Sequence, residues 1–210
     1  MDMTRLIANG LVSVVVFLLD IVYKNRPVQR FWVLETVARV PYFSWMSVLH
    51  LYQSLGMWER YDWLTTHYAE SYNEEHHLRI FEELGGNKVW VDRAVAYHAA
   101  LLYYWAVVML YVVDAPAAYY MMAEIEKHAY DTYDKFLNSG HELLSQPAPL
   151  SAIMYYMGDD NRYLFEKFQP HCEIERRPKL QTVADVIREV RNDEMQHVLT
   201  CQYCEKEYRS

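Results

Sequence analysis

Asn73-Glu74-Glu75-His76-His77 and Arg191-Asn192-Asp193-Glu194-Met195-Gln196-His197 decide how this chain is read. Each contains Glu-x-x-His, pairing Glu74 with His77 and Glu194 with His197. In an α-helix, positions three apart lie about 60° apart around the axis and about 4.5 Å along it, so both side chains of a pair can face one bundle axis. One such pair recurs by chance on solvated helices. Two pairs on separate helices, joined by one carboxylate from each of two further helices, match the ligand set of carboxylate di-metal bundles.

The candidates for the further carboxylates are Glu35 and Glu126. Glu35 sits in Arg30-Phe31-Trp32-Val33-Leu34-Glu35-Thr36, an apolar setting where a lone carboxylate is costly. Glu126 sits in Glu124-Ile125-Glu126-Lys127-His128-Ala129-Tyr130. Two Fe²⁺ ions bring four positive charges and four glutamates bring four negative ones, which leaves a neutral cluster that a low-dielectric core tolerates. Carboxylates with imidazole suit iron or manganese, and the lack of a thiolate cluster disfavours zinc and Fe–S sites.

Outward from these motifs, helical periodicity covers most of the chain. Segments of that period run over residues 4–24, 28–55, 58–84, 89–113, 117–138 and 182–204. Pro27 suits a helix start, Pro41 should kink or break the second segment, and Gly85-Gly86 and Ser139-Gly140 read as helix stops. Gln146-Pro147-Ala148-Pro149 punctuates the chain before a mixed stretch with a turn at Gly158-Asp159-Asp160-Asn161. The expected fold is all-α, a ferritin-like four-helix bundle within one domain spanning 1–210. Bundle helices lie in 26–84, 117–139 and 181–204. Two additional apolar helices in 1–25 and 88–113 form a monotopic membrane-binding face, and 150–178 is an irregular insertion.

Composition agrees with that class. Only 6 Gly and 7 Pro occur in 210 residues, so the turn signals of an all-β chain are missing. The 19 Tyr and 6 Trp suit places where an apolar body meets a wet edge. A net charge of −8, with no basic run, argues against a nucleic-acid partner. Cys172, Cys201 and Cys204 are too few for a disulfide framework, and the single C-x-x-C at 201–204 reads as two small residues in a helix's last turn.

The run LVSVVVFLL at 11–19 is followed by Asp20 and falls short of the ~20 residues that span a bilayer. The stretch AVAYHAALLYYWAVVMLYVV at 94–113 has spanning length but carries His98 and is bracketed by Asp92, Arg93 and Asp114. A spanning helix, a buried bundle helix and a helix lying in the headgroup layer all fit its hydropathy; the charged helices on both sides favour the last.

At these residues the chain resembles the alternative oxidase family. The family's blocks read here as Leu34-Glu35-Thr36, Asn73-Glu74-Glu75-His76-His77, Glu126-Lys127-His128-Ala129-Tyr130 and the Arg191-to-His197 block. Within the family it most resembles the plastid terminal oxidase branch, through RFWVLETVARVPYFSWMSVLHLYQS (30–54), HYAESYNEEHHL (67–78), EELGGN (82–87), EKHAYDTYDKFL (126–137), PAP (147–149) and YYMGDDNRYLFEKFQ (155–169). The last is similar to an insertion that marks the branch. No transit-type leader is seen, as in a cyanobacterial-type homologue or a trimmed chain.

The resemblance implies that Glu35, Glu74, His77, Glu126, Glu194 and His197 ligate two iron ions. It implies that Tyr133, seven residues after Glu126, stands beside the metals as an electron or hydrogen-atom donor. Asn73, Arg191 and Asp193 would orient the ligands, and Arg30, Leu34, Ala129 and Thr132 would line a quinol pocket. His128 stands where mitochondrial members carry Glu. The implied activity is oxidation of a quinol, plastoquinol above all, with reduction of O₂ to water and no proton pumping. The implied setting is one leaflet of a thylakoid or other cyanobacterial or plastid membrane, compatible with a homodimer. Two rival readings are a di-iron quinone-biosynthesis hydroxylase and a non-enzymatic iron-binding helical protein of the membrane surface. His50, His67, His76 and His98 are read as structural.

Overall fold

The computed structural model describes residues 3–57, 60–169, 176 and 178–209, with backbone alone for 3–9, 11, 14, 15 and 209. Cys172 and Trp58, the expected start of the third segment, lie outside the described residues. The described chain is helical throughout: α1 (Met3–Val22), α2 (Pro27–Ala38), α3 (Val40–Ser54), α4 (Tyr61–Glu83), α5 (Trp90–Val113), α6 (Ala115–Leu137), a 3₁₀ turn (Glu142–Ser145), α7 (Leu150–Met157), α8 (Arg162–Lys167) and α9 (Val183–Arg209).

The second segment breaks as Pro41 demands. Its ring excludes the carbonyl four residues back, so α2 ends at Ala38 and α3 begins at Val40. Arg39 between them keeps a helical backbone (φ −65°, ψ −18°), so the chain bends without reversing. After α4 the chain turns through Gly85 at φ +88°, and the Gly86 N–H closes on the Phe81 carbonyl at 2.8 Å. A Cβ on Gly86 would lie 2.5 Å from Cβ of Trp32, so this glycine lets α2 seat against the end of α4. Asp114 caps α6 by accepting a 3.0 Å bond from the Ala117 N–H, with Pro116 in the first turn.

The stretch between α6 and α9 is a loop with joined ends. Ala148 N–H bonds to the Gln181 carbonyl at 3.0 Å and Val183 N–H to the Gln146 carbonyl at 2.9 Å, around an isolated Pro147–Thr182 bridge. Polar contacts lay the loop on α4. Glu83 accepts from the Leu150 and Ser151 N–H groups, both at 2.9 Å, and so caps α7; the Tyr72 hydroxyl donates to Asn161 Oδ1 at 2.6 Å.

α2 with its continuation α3, together with α4, α6 and α9, forms a four-helix bundle, with α6 and α9 in the most extensive contact. Two apolar cores fill it. One gathers Phe31, Trp32, Phe81, Tyr133, Phe136, Tyr155, Tyr156 and Phe168. The other gathers Tyr42, Trp45, Trp63, Tyr111, Tyr119, Met122, Cys201 and Cys204. Outside the bundle, α5 packs on α2, α3 and α6, yet leaves Trp90, Leu101, Leu102, Trp105, Met109 and Val113 exposed, and α1 leaves Phe17, Leu18, Ile21 and Val22 exposed.

Candidate di-metal centre

Between the two apolar cores lies a polar layer. Glu35 comes from α2, Glu74 and His77 from α4, Glu126 from α6, and Glu194 and His197 from α9; every one of these side chains is buried. They fall into two groups of four whose ligand atoms lie within 4.8 Å of one another: Glu35, Glu74, His77 and Glu194 in one, and Glu74, Glu126, Glu194 and His197 in the other. Glu74 and Glu194 belong to both. Two metal ions would be held there by these six side chains, with Glu74 and Glu194 common to both groups and each group adding one further glutamate and one imidazole.

The unmet bonding of these atoms is the test of fit. Oε2 of Glu35, both oxygens of Glu74, Oε2 of Glu126, Oε2 of Glu194, and Nδ1 of His77 and His197 are buried without a hydrogen-bond partner among the described residues. His197 Nδ1 comes within 2.9 Å of Glu74 Oε1 but without hydrogen-bond alignment. Buried polar atoms are rarely left so, and here they converge, as donors to a cation would. The donor set of carboxylate oxygens and imidazole nitrogens fits iron or manganese.

The electrostatics say the same. Burial, then repulsion from Glu194, Glu35 and Glu126, pushes the Glu74 carboxyl well up. Burial and Glu194 push Glu126 to about 8. Burial alone would also raise Glu194, but the imidazoles of His197 and His77, at 3.4 and 3.5 Å, hold it down to about 2. Burial alone would lower both imidazoles, yet the surrounding carboxylates outweigh it and raise them well above their ordinary value. Without a cation, protons supply the missing positive charge.

Around this layer the supporting bonds are unequal. Asp193 Oδ2 accepts from Asn73 Nδ2 (2.9 Å), the Tyr156 hydroxyl (2.7 Å) and His77 Nε2 (3.1 Å). Asn73 also donates to the Tyr155 hydroxyl at 2.8 Å. A proton on His77 Nε2 leaves Nδ1 bare, facing Glu35, Glu74 and Glu194 at 3.5–3.8 Å. Arg191, expected beside these groups, instead donates to Asp134 at 2.6 Å and ties α9 to α6. The basic partner of Asp193 is Arg176, at 2.5 Å.

Tyr133 donates its hydroxyl to Glu35 and is packed against the rings of Phe31 and Phe81. Tyr42 donates to Glu126 Oε1 at 2.5 Å. Arg176 and Tyr42 escaped the reading of the sequence. Arg176 lies in the irregular stretch, where no period predicts contacts. Tyr42 had a usable signal, since it follows Glu35 by seven residues as Tyr133 follows Glu126.

Among the expected quinol-pocket residues, Arg30 pairs with Asp20 of α1 at 2.6 Å, Thr132 is buried, and Leu34 and Ala129 are half-buried. Thr132 lies 3.2 Å from Nε2 of His128. The other histidines stand apart from the metal-type groups. His67 is buried between Glu70 (2.7 Å) and the Tyr119 hydroxyl (2.8 Å), His76 stacks on Tyr155 at 4.2 Å, and His50 and His98 are exposed. Cys201 and Cys204 are free and buried in the second core, where burial pushes both thiols up.

Comparison with known proteins points one way. The family model described as Alternative oxidase matches residues 2–206. Ubiquinol oxidase 4, chloroplastic/chromoplastic, of Arabidopsis thaliana is 49% identical over 193 residues, covering 91% of this chain and 55% of its own length. Ubiquinol oxidase 1a, mitochondrial, of Oryza sativa subsp. japonica is 30% identical over 181 residues, covering 85% of this chain and 48% of its own. The mitochondrial ubiquinol oxidase of Mangifera indica is 30% identical over 181 residues, covering 85% and 50%. The chain thus spans about half the length of the curated relatives it matches.

Proposed function

This chain belongs to the alternative oxidase family, and from that premise we propose that it is a membrane-bound di-iron quinol oxidase, transferring electrons from plastoquinol or a related quinol to O₂. The observation that carries the reading is the pair of acid–imidazole groups sharing Glu74 and Glu194. Two quinols and one O₂ give two quinones and two waters, which balances four electrons and four protons. Two irons held by Glu35, Glu74, His77, Glu126, Glu194 and His197 would supply O₂ binding and redox capacity.

The rest falls to the chain itself. The apolar cores on either side of the polar layer exclude bulk water from it. Asp193 and Asn73 orient the His77 ring. Tyr133 can lose an electron without becoming a cation, because its hydroxyl proton already has Glu35 as acceptor. Arg30, Leu34, Ala129 and Thr132 form the quinol-side wall, and the exposed apolar faces of α1 and α5 rest in one leaflet, so the lipid delivers the quinol. A protein confined to one leaflet moves no protons across the membrane. A relative named as chloroplastic/chromoplastic supports plastoquinol and a thylakoid-type membrane.

The test is an oxygen electrode. Purified protein should consume O₂ with a plastoquinol analogue in the presence of cyanide, and Glu194→Ala should abolish the uptake. Cyanide-sensitive uptake, or oxygen appearing in the quinone ring, would overturn the assignment.

A further inference from the structure

The two imidazoles of the centre are backed unequally. His77 Nε2 meets Asp193 Oδ2, whereas His197 Nε2 has no hydrogen-bond partner among the described residues and lies against the rings of Phe168 and Tyr42. A hydrogen bond behind a ligating imidazole holds its tautomer and ring plane and makes it a better donor. Among the described residues His77 has that support and His197 has none.

The support behind His77 extends one residue further, into the loop between α6 and α9. Arg176 Nη1 donates to Asp193 Oδ1 (2.5 Å) and to Gln169 Oε1 (2.9 Å); Nη2 donates to Glu189 Oε2 (2.6 Å) and to the Glu189 carbonyl (3.2 Å). Its guanidinium stands 5.5 Å from the Phe165 ring centroid. Asp193 is fully buried, and its Oδ2 is already shared by Asn73, Tyr156 and His77. Arg176 supplies the counter-charge and the contact on the other oxygen, so the carboxylate cannot rotate away from His77. Lysine, a point charge without the planar fork, cannot hold Asp193, Gln169 and Glu189 together in the same way.

We infer that Arg176 is a positioning residue which, through Asp193 and His77, makes the metal position of Glu35 and His77 the tighter of the two. This rests on the reading of the centre as a di-metal site.

Anaerobic titration of the metal-free full chain with Co²⁺, followed by absorption, tests it. The wild type should take up two Co²⁺ in two steps; Glu35→Gln should remove the tighter step and Glu126→Gln the weaker. Arg176→Gln should weaken the tighter step by about 10- to 100-fold and leave the weaker one unchanged. Arg176→Lys, which keeps the charge should the Gln variant not fold, should weaken the same step by less. Loss of both steps in equal proportion, or two steps matching wild type in either variant, would refute a role through His77. A wild type that binds no Co²⁺ would bring down the reading of the centre itself, and the inference with it.

Discussion

Tyr42 and Tyr133 exchange partners across the bundle. Each follows one glutamate of the centre by seven residues, Glu35 and Glu126 respectively, and each donates its hydroxyl to the other one. The exchange laces α3 to α6 and α6 to α2 through the polar layer, so neither outer carboxylate can swing out independently. Tyr42→Phe and Tyr133→Phe should each lower stability by about 1–3 kcal/mol, because each leaves a buried carboxylate oxygen without its donor. Turnover separates them. If Tyr133 alone exchanges an electron with the centre, its variant alone should lose about tenfold or more in turnover, about 1.4 kcal/mol of barrier. Thermal melts and oxygen uptake on both variants make the comparison.

Removal of metal should change how stability depends on pH. In the metal-free chain Glu74, Glu126, His77 and His197 all have raised values, Glu126 to about 8. The folded state then keeps protons that the unfolded chain releases near 4.5 for carboxyls and 6.5 for imidazoles. The protonated cluster is therefore fully stabilising below those values and loses that contribution as pH rises toward and through 8. Glu194, held down to about 2, acts the other way and matters only in acid. Melting temperature of metal-free protein should fall between pH 5 and 8. Adding Fe²⁺ or Mn²⁺ should abolish the trend, since ligands bind in the deprotonated form; at 100 times Kd the metal adds about 2.7 kcal/mol.

Gly86→Ala should be costly. Its added methyl would meet Cβ of Trp32 at 2.5 Å and two backbone carbonyl oxygens, of Phe81 and Val28, at 2.9 Å. Backbone cannot step aside as a flexible side chain can, so about 1–3 kcal/mol should be lost. Chemical denaturation reads it directly, and an unchanged midpoint would contradict the close seating of α2 on α4.

Glu83→Ala should loosen the loop that carries α7 while sparing the bundle. Burial is the largest single influence on Glu83 and opposes its ionisation, but the Ser151 side chain and backbone N–H, with the Leu150 N–H, together lower its value. The capping contribution is thus present above about pH 4.5 and fades as acid titrates the carboxylate. About 1 kcal/mol of local stability should go. Faster amide exchange confined to 150–157 at pH 7, with α9 protected as before, is the expected result.

The exposed face of α5 should govern membrane attachment. Leu102 and Trp105 are 72% and 60% exposed on a helix of which the most apolar stretch is only 17% buried. A charged group placed there opposes entry into lipid. Leu102→Glu with Trp105→Glu should shift the protein from co-sedimentation with anionic-lipid vesicles to the supernatant, with Co²⁺ uptake unaffected. Retained binding would move the attachment to the face of α1.

Much of this was legible without coordinates because it is local. The break at Pro41, the turn at Gly85-Gly86 and the shared face of a glutamate and a histidine three apart follow from backbone geometry within one or two turns. The choice of Glu35 was legible too, since a lone carboxylate in an apolar helical stretch has to be compensated by something, whereas Glu126, set beside Glu124, Lys127 and His128, carried no such local signal. What needed the tertiary structure was pairing at a distance. Arg176 reaches Asp193, and Arg191 turns to Asp134, because a long side chain can serve any carboxylate within its reach, and only packing decides which one that is. Tyr42 bonds to Glu126 rather than to the glutamate seven residues before it because facing helices interleave their side chains across the axis, a relation that period along one helix does not contain.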